Sequence, residues 1–209
     1  MGADFLKSHA KTARNEGGYA NNKADAGGET YAGIARNYWP RWAGWQLIDS
    51  LKGARNFPAN LKNMPALQKL VLEFYAKNFW EANRLGEIVS QDVADWLYDH
   101  AVNGGGRGIQ WLQEALGVTA DGSVGPKTLA AINAADPEAL LRKATIVASL
   151  YRLQKAHDKP SQIQFLHSWL DRDGLAPELI KLVLAEAKDD GILDDNELAA
   201  LRQKICAQA

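Results

Sequence analysis

Glu16-Gly17-Gly18-Tyr19-Ala20-Asn21-Asn22-Lys23-Ala24-Asp25-Ala26-Gly27-Gly28-Glu29-Thr30 joins two kinds of chain, and the architecture of the N-terminal half turns on it. Before it, the spacing of apolar residues predicts a short helix over about Asp4 to Asn15, with Phe5, Leu6 and His9 on one face and Gly17-Gly18 as its end. After it, from Tyr19 to Arg36, the sequence is rich in Gly, Asn and Asp and lacks a helical period. That composition predicts a loop or a small irregular β-hairpin.

Regularity then returns. Pro65 suits a first helical position, and Leu67, Leu70, Val71 and Phe74 form an apolar stripe over 64–79. A second helix is expected over 92–101, with Asp92 near its start, Val93, Trp96 and Leu97 inward, and Gly104-Gly105-Gly106 at its end. Trp111 to Val118, a turn at Asp121-Gly122, and a helix opened by Gly125-Pro126 follow. Asp136-Pro137 opens a longer helix to about His157, stopped by Lys159-Pro160, and two or three more are expected around 162–170, 177–188 and 195–207. The fold class is therefore mainly α.

Composition narrows the function. The chain has 209 residues, a formal net charge of −1 and a single cysteine, Cys206. No basic field marks a nucleic-acid binder, and no internal disulfide can form. No apolar run reaches the ~20 residues that a membrane span needs, and the N-terminus has no signal-peptide pattern, so synthesis in the cytoplasm and export by another agent are expected. The four histidines, His9, His100, His157 and His167, lack metal-ligand spacing. The stretch 186–197 has a glycine and a glutamate where a calcium loop has them, but Lys188 stands where such a loop needs oxygen, so a solvated turn with a helix cap is expected. Trp39, Trp42 and Trp45 read either as a packing cluster or as a platform for sugar rings, and the packing reading is the plainer one.

The residues at the junction suit one kind of chemistry. A carboxyl group at a helix end, shielded by apolar packing, can keep its proton near neutral pH. Glycosidic cleavage uses such a donor, with a second group across the sugar that attacks the ring or positions water. Glu16 fits the first role, and Asp25 with Thr30 the second. Read alone, however, the three are equally a helix-end carboxylate, a turn residue and a cap.

The wider pattern is more specific. Glu16-Gly17-Gly18-Tyr19, then Asp25, Gly27, Gly28, Thr30, Gly33 and Ile34, resembles the active-site string of glycoside hydrolase family 108, a family of N-acetylmuramidases of phages and bacteria. Val102-Asn103-Gly104 follows, and then blocks similar to a peptidoglycan-binding-type module: Leu112-Gln113, Leu116-Gly117-Val118, Asp121-Gly122 and Gly125-Pro126-Lys127-Thr128. The blocks keep the family's order from about Phe5 to Leu170. The Asp25-to-Thr30 step is one residue shorter than in phage-type lysozymes.

The resemblance implies a lysozyme-like helical fold with the loop or hairpin beside the active site. It implies a catalytic region over 1–103 and a peptidoglycan-binding-type helical module over 104–175; the helical extension over 176–209 lies beyond the resemblance. It further implies that Glu16 is the general acid, that Asp25 and Thr30 assist it, and that Tyr19 and Asn103 line the sugar cleft, although the last two read equally as structural hydrogen-bond partners. The expected reaction is hydrolysis between N-acetylmuramic acid and N-acetylglucosamine, ending in lysis, without metal or cofactor. Inversion or retention depends on the separation of the two carboxyl groups. The expected partner is the peptidoglycan glycan strand, reached by a monomer through a holin or a secretion apparatus and met in the periplasm. Two alternatives stay open: a lytic transglycosylase using Glu16, and a non-catalytic wall-binding protein.

Overall fold

The computed structural model describes residues 2–13, 18–22, 27–188 and 192–207. It is mainly α, with ten α-helices and one small three-stranded sheet among the described residues. The chain divides into two compact units, one of residues 4–84 and one of residues 1–3 with 85–209.

In the first unit, α1 (Phe5–Thr12) starts where the Asp4 carboxylate accepts the Lys7 amide at 3.2 Å. The expected inward face needs one correction: Leu6 is 60% exposed, whereas Ser8, His9 and Thr12 are buried. The phase explains it. Phe5, Ser8, His9 and Thr12 recur at helical spacing on one stripe, and Phe5 stacks on His9 with ring centroids 5.3 Å apart, while Leu6 points about 100° away. Burial lowers the His9 pKa, which favours the neutral ring.

Strands β1 (Tyr19–Asn21), β2 (Glu29–Tyr31) and β3 (Ile34–Ala35) form an antiparallel sheet in that order. Tyr19 pairs with Tyr31, Ala20 with Thr30, and Thr30 in turn with Ala35. The β2–β3 link is Ala32-Gly33, with φ of 47° and 75°. Two consecutive positive φ angles between paired strands make the tight mirror-image turn that matches strand twist. The glycine of the Thr-x-x-Gly-Ile string thus has a backbone reason.

Helix α2 (Gly44–Leu51) and α3 (Pro65–Tyr75) close over the sheet. Pro65 stands at the first turn of α3 as its missing amide allows. The single helix expected over 64–79 is not uniform: after Tyr75 it widens into a π-helical segment, Ala76–Glu81. The core of this unit gathers Tyr31, Ile34, Trp45, Ile48, Leu67, Val71, Phe74, Tyr75 and Trp80.

The second unit is helical throughout: α4 (Gln91–Gly104), α5 (Gly106–Leu116), α6 (Pro126–Ala134), α7 (Pro137–Asp158), α8 (Leu166–Asp173), α9 (Pro177–Lys188) and α10 (Asp195–Cys206). Helix α4 starts one residue earlier and runs three further than expected, capped by Ser90 and ended by Gly105 with φ 56°. Helix α7, capped by Asp136, spans 22 residues and packs against α4, α5, α8 and α10. Its buried residues are Leu140, Ala144, Ala148, Ser149, Leu153 and Ala156. Helices α9 and α10 share one hydrophobic cluster with α7 and α8, built from Leu153, Leu166, Leu170, Val183, Leu201 and Ile205 among others. Asp194 and Glu197 form a reciprocal capping box at the start of α10, so the cap expected in this stretch is present. No helix among the described residues is long and apolar enough to cross a membrane.

Candidate functional site

The sheet of the first unit carries or borders most of the residues singled out from the sequence. Glu16 and Asp25 lie outside the described residues. Gly18 accepts the Ala32 amide at 3.3 Å, and Gly27 accepts the Asn37 amide at 3.2 Å. Gly28 has φ 66°, and a Cβ there would come within 2.8 Å of the Asn37 side chain, so the second glycine of the pair meets both a backbone and a space requirement.

Thr30 is half-buried on the central strand, where its hydroxyl donates to the Gly28 carbonyl at 3.3 Å. Tyr19 pairs with Tyr31, whereas Thr30 pairs with Ala20 and Ala35. Because side chains alternate along a strand, Tyr19 and Thr30 face opposite sides of the sheet. Tyr19 donates its hydroxyl to Glu29 Oε1 at 2.8 Å and sets its ring edge-on against Phe57. Its ring borders a cleft of about 440 Å³ with Gly18, Tyr31, Lys62 and Gln68. Asn103 lies in the other unit, exposed on the last turn of α4, with its amide donating to the Asp99 carbonyl at 2.8 Å.

Beside these lies a charge network that the sequence reading missed. Glu29, with a side chain only 10% exposed, accepts from Tyr19, from Arg36 at 2.7 Å and from Lys52 at 2.8 Å. Arg36 also grips Asp49 with both terminal nitrogens, at 2.8 and 2.6 Å, and Lys52 meets Asp49 at 2.7 Å. Burial pushes the Glu29 carboxyl up, but hydrogen bonds from Lys52, Arg36 and Tyr19 outweigh it and leave its pKa lowered. The Asp49 carboxyl is held far below its ordinary range by its bonds to Arg36 and Lys52. Only Asp49 and Lys52, three apart on or just past α2, were a legible pair; the Glu29–Arg36 contact depends on the turn between β2 and β3.

A second depression opens on the Asn37 side. It measures about 700 Å³ and is lined by Trp39, Trp42, Phe74, Arg41, Lys77 and Asn78 together with their neighbours. The three clustered tryptophans divide their roles. Trp45 is 2% exposed and donates its indole N–H to the Trp39 carbonyl, Trp42 is half-buried against Trp45, and Trp39 is 40% exposed.

In the second unit, the residues that make the Leu-Gln, Asp-Gly and Gly-Pro-x-Thr blocks converge on one buried amide. Gln113 donates to Asp121 Oδ1 at 2.8 Å, to the Ser123 carbonyl at 3.0 Å and to Thr128 Oγ1 at 3.2 Å, and it accepts the Gly122 amide at 2.8 Å. These side chains satisfy one another within the fold.

Residues 9–105 match the family model described as Glycosyl hydrolase 108. That stretch is similar to the glycosyl hydrolase 108 family. Directly behind it, residues 107–173 match the model described as Predicted Peptidoglycan domain. Together the two matches support a glycoside hydrolase with peptidoglycan-degrading muramidase activity. The match to the glycosyl hydrolase 108 model includes Glu16, Asp25 and Thr30 within its bounds and extends to Asn103. Among solved structures, SagA of Brucella abortus is similar in fold, with 24% identity, a TM-score of 0.54 and coverage of 90% of this chain and 98% of that one. No curated protein matches the sequence.

Proposed function

We propose that the chain hydrolyses the β-1,4 bond between N-acetylmuramic acid and N-acetylglucosamine, with Glu16 as the general acid. In this reading Glu16 gives its proton to the glycosidic oxygen as the bond breaks. Asp25, ionised, faces the positive charge that builds on the sugar and, with Thr30, orients the water that adds to the ring carbon, giving inversion. The scheme calls for no metal or cofactor. Asn103 and the ring of Tyr19 contact the glycan, since the Tyr19 hydroxyl is already held by Glu29.

The observation that carries this reading is the state of Glu29. It is the described carboxylate nearest in sequence to the Gly-Gly-x-Thr string, and three donors hold it in the ionised form, unsuited to giving up a proton. That leaves Glu16 and Asp25 as carboxyls of the motif, and the resemblance gives the acid's role to Glu16.

Functionally, we assign catalysis to 1–103, wall attachment to 104–175 and packing support to 176–209. We further propose that the chain acts as a monomer on the wall in the periplasm, reaches it through a holin-made opening or a secretion apparatus, and lyses the cell.

Purified sacculi digested with the parent protein and with Glu16→Gln test the chemistry. Loss of the acid is expected to slow release by about 10²–10⁴. Mass spectrometry of the parental products is expected to show reducing ends. Anhydro-muramyl ends would replace hydrolysis with transglycosylation, and a Glu16→Gln protein that clears walls at the parental rate would remove Glu16 from the acid's role.

A further inference from the structure

The depression between β3, α2 and the end of α3 does more than fill space. Its floor is aromatic, formed by Trp42 and Phe74, and Trp39 rises at its side with an indole set perpendicular to Phe74 at 4.8 Å. Tyr38, next to it, is 66% exposed. Large aromatics left at the surface beside a concave site mark a binding surface more often than a packing fault.

Two cations flank this floor. Arg41 and Lys77 line it from different elements, both exposed and neither with an ion pair among the described residues, while Glu73, the acid in the lining, has Lys69 at 3.7 Å. Lys77 and Asn78 lie in the π-helical segment that follows α3, a departure from regular helix that recurs at functional sites. Asn78 donates its amide to the Phe74 carbonyl at 2.8 Å, which turns its carbonyl oxygen outward from that bond. At the near end, Asn37 joins the depression to Gly27 and Gly28, the glycines that follow Asp25.

We infer that this groove is a second binding subsite for peptidoglycan, in which a pyranose ring stacks on Trp39 while Arg41 and Lys77 pair with carboxylates of the stem peptide. The inference rests on the peptidoglycan reading above and deepens it. Each half of the lining matches one half of the polymer. The C–H face of a sugar ring is apolar and suits an indole, and the stem peptide carries carboxylates that a strand of N-acetylglucosamine alone lacks. An aromatic floor alone fits any flat apolar group; the unpaired cations at both sides select a sugar strand with acidic branches.

Binding measured in the Glu16→Gln background separates this from the chemistry, because it needs no turnover. Two probes are used: soluble muramyl glycan oligomers with their stem peptides, and N-acetylglucosamine oligomers of the same length, which carry no carboxylate. Trp39→Ala is expected to weaken both by about tenfold, and Trp39→Tyr to recover most of it. Arg41→Ala with Lys77→Ala is expected to weaken the peptide-bearing oligomer by about tenfold and to leave the N-acetylglucosamine oligomer unchanged. Circular dichroism checks that each variant is folded, and these three side chains, being exposed, leave the core intact.

Unchanged binding of both oligomers in Trp39→Ala and in the double variant would overturn the inference, whatever Glu16→Gln does to cleavage. Equal losses for the peptide-bearing and N-acetylglucosamine oligomers in the double variant would overturn the stem-peptide half. A Glu16→Gln protein that still cleaves would instead strike at the proposed chemistry and leave the binding result standing.

Discussion

Gln113 and Asp121 are joined by a 2.8 Å hydrogen bond at the centre of the block that marks the peptidoglycan domain. The amide of Gln113 is wholly buried and uses both of its ends, so the residues most conspicuous in the sequence hold the turn between α5 and α6. Gln113→Leu would leave the Gly122 amide and the Asp121 carboxylate without their partner. A loss of about 2 kcal/mol in urea unfolding is expected, with wall binding at low denaturant retained in whatever fraction stays folded. A variant as stable as the parent would assign this amide a different role.

Ala32 should be improvable. At φ 47° it adopts a conformation that costs an L-residue with a Cβ about 1 kcal/mol. Its backbone amide and carbonyl are both engaged, by Gly18 and by Tyr75, so neither depends on the methyl group. Ala32→Gly or Ala32→Asn is expected to raise stability by roughly 0.5–1 kcal/mol. Thermal unfolding of the three proteins side by side would show it.

Acid should loosen the sheet of the first unit. Glu29 and Asp49 have folded pKa values below their ordinary ones, so their contribution is complete above about pH 4.5 and disappears as pH falls through the lowered values. Glu29→Gln is expected to cost about 2 kcal/mol near neutral pH and to flatten the decline below pH 4.5. Melting temperatures taken from pH 3 to 7 for parent and variant compare the two slopes.

The opposite sign holds at His157. Its Nδ1 meets Asp158 at 3.1 Å and its Nε2 meets Asp195, at the start of α10, at 3.0 Å. The bond to Asp158 comes first among the causes that raise its pKa, and the one to Asp195 adds to it. The contribution is therefore full below about pH 6.5 and is lost as pH rises through the raised value. Hydrogen exchange in α10 is expected to quicken between pH 6.5 and 8.5 in the parent and to lose that added rise in His157→Ala. Salt should narrow the difference, since the group is open to solvent.

The helices were legible because their signals are local. Pro65, Pro126 and Pro137 each sit at the first turn of a helix, and Gly117 ends α5 in the left-handed conformation. Leu6 was misread because the phase of a two-turn helix is poorly fixed by three apolar residues. The π-helical turn at Ala76–Glu81 has no mark in the sequence, since an α-helical period continues through it. Within the candidate site, Thr30 and the glycines at 28 and 33 were legible as a string, and the backbone angles supply their reason. The Glu29, Arg36, Asp49 and Lys52 network was not, because its members come from three elements and meet only after the sheet has folded.

The shared core of α7 to α10 bears on anyone who would shorten this protein. A version trimmed to the family-matched residues 9–173 would shed Val183, Leu193, Leu198, Leu201 and Ile205 and leave Leu153, Leu166 and Leu170 bare. Such a surface invites self-association rather than leaving a minimal enzyme. The last two helices are thus a lid on the hydrophobic interior, and payloads or tags belong beyond them.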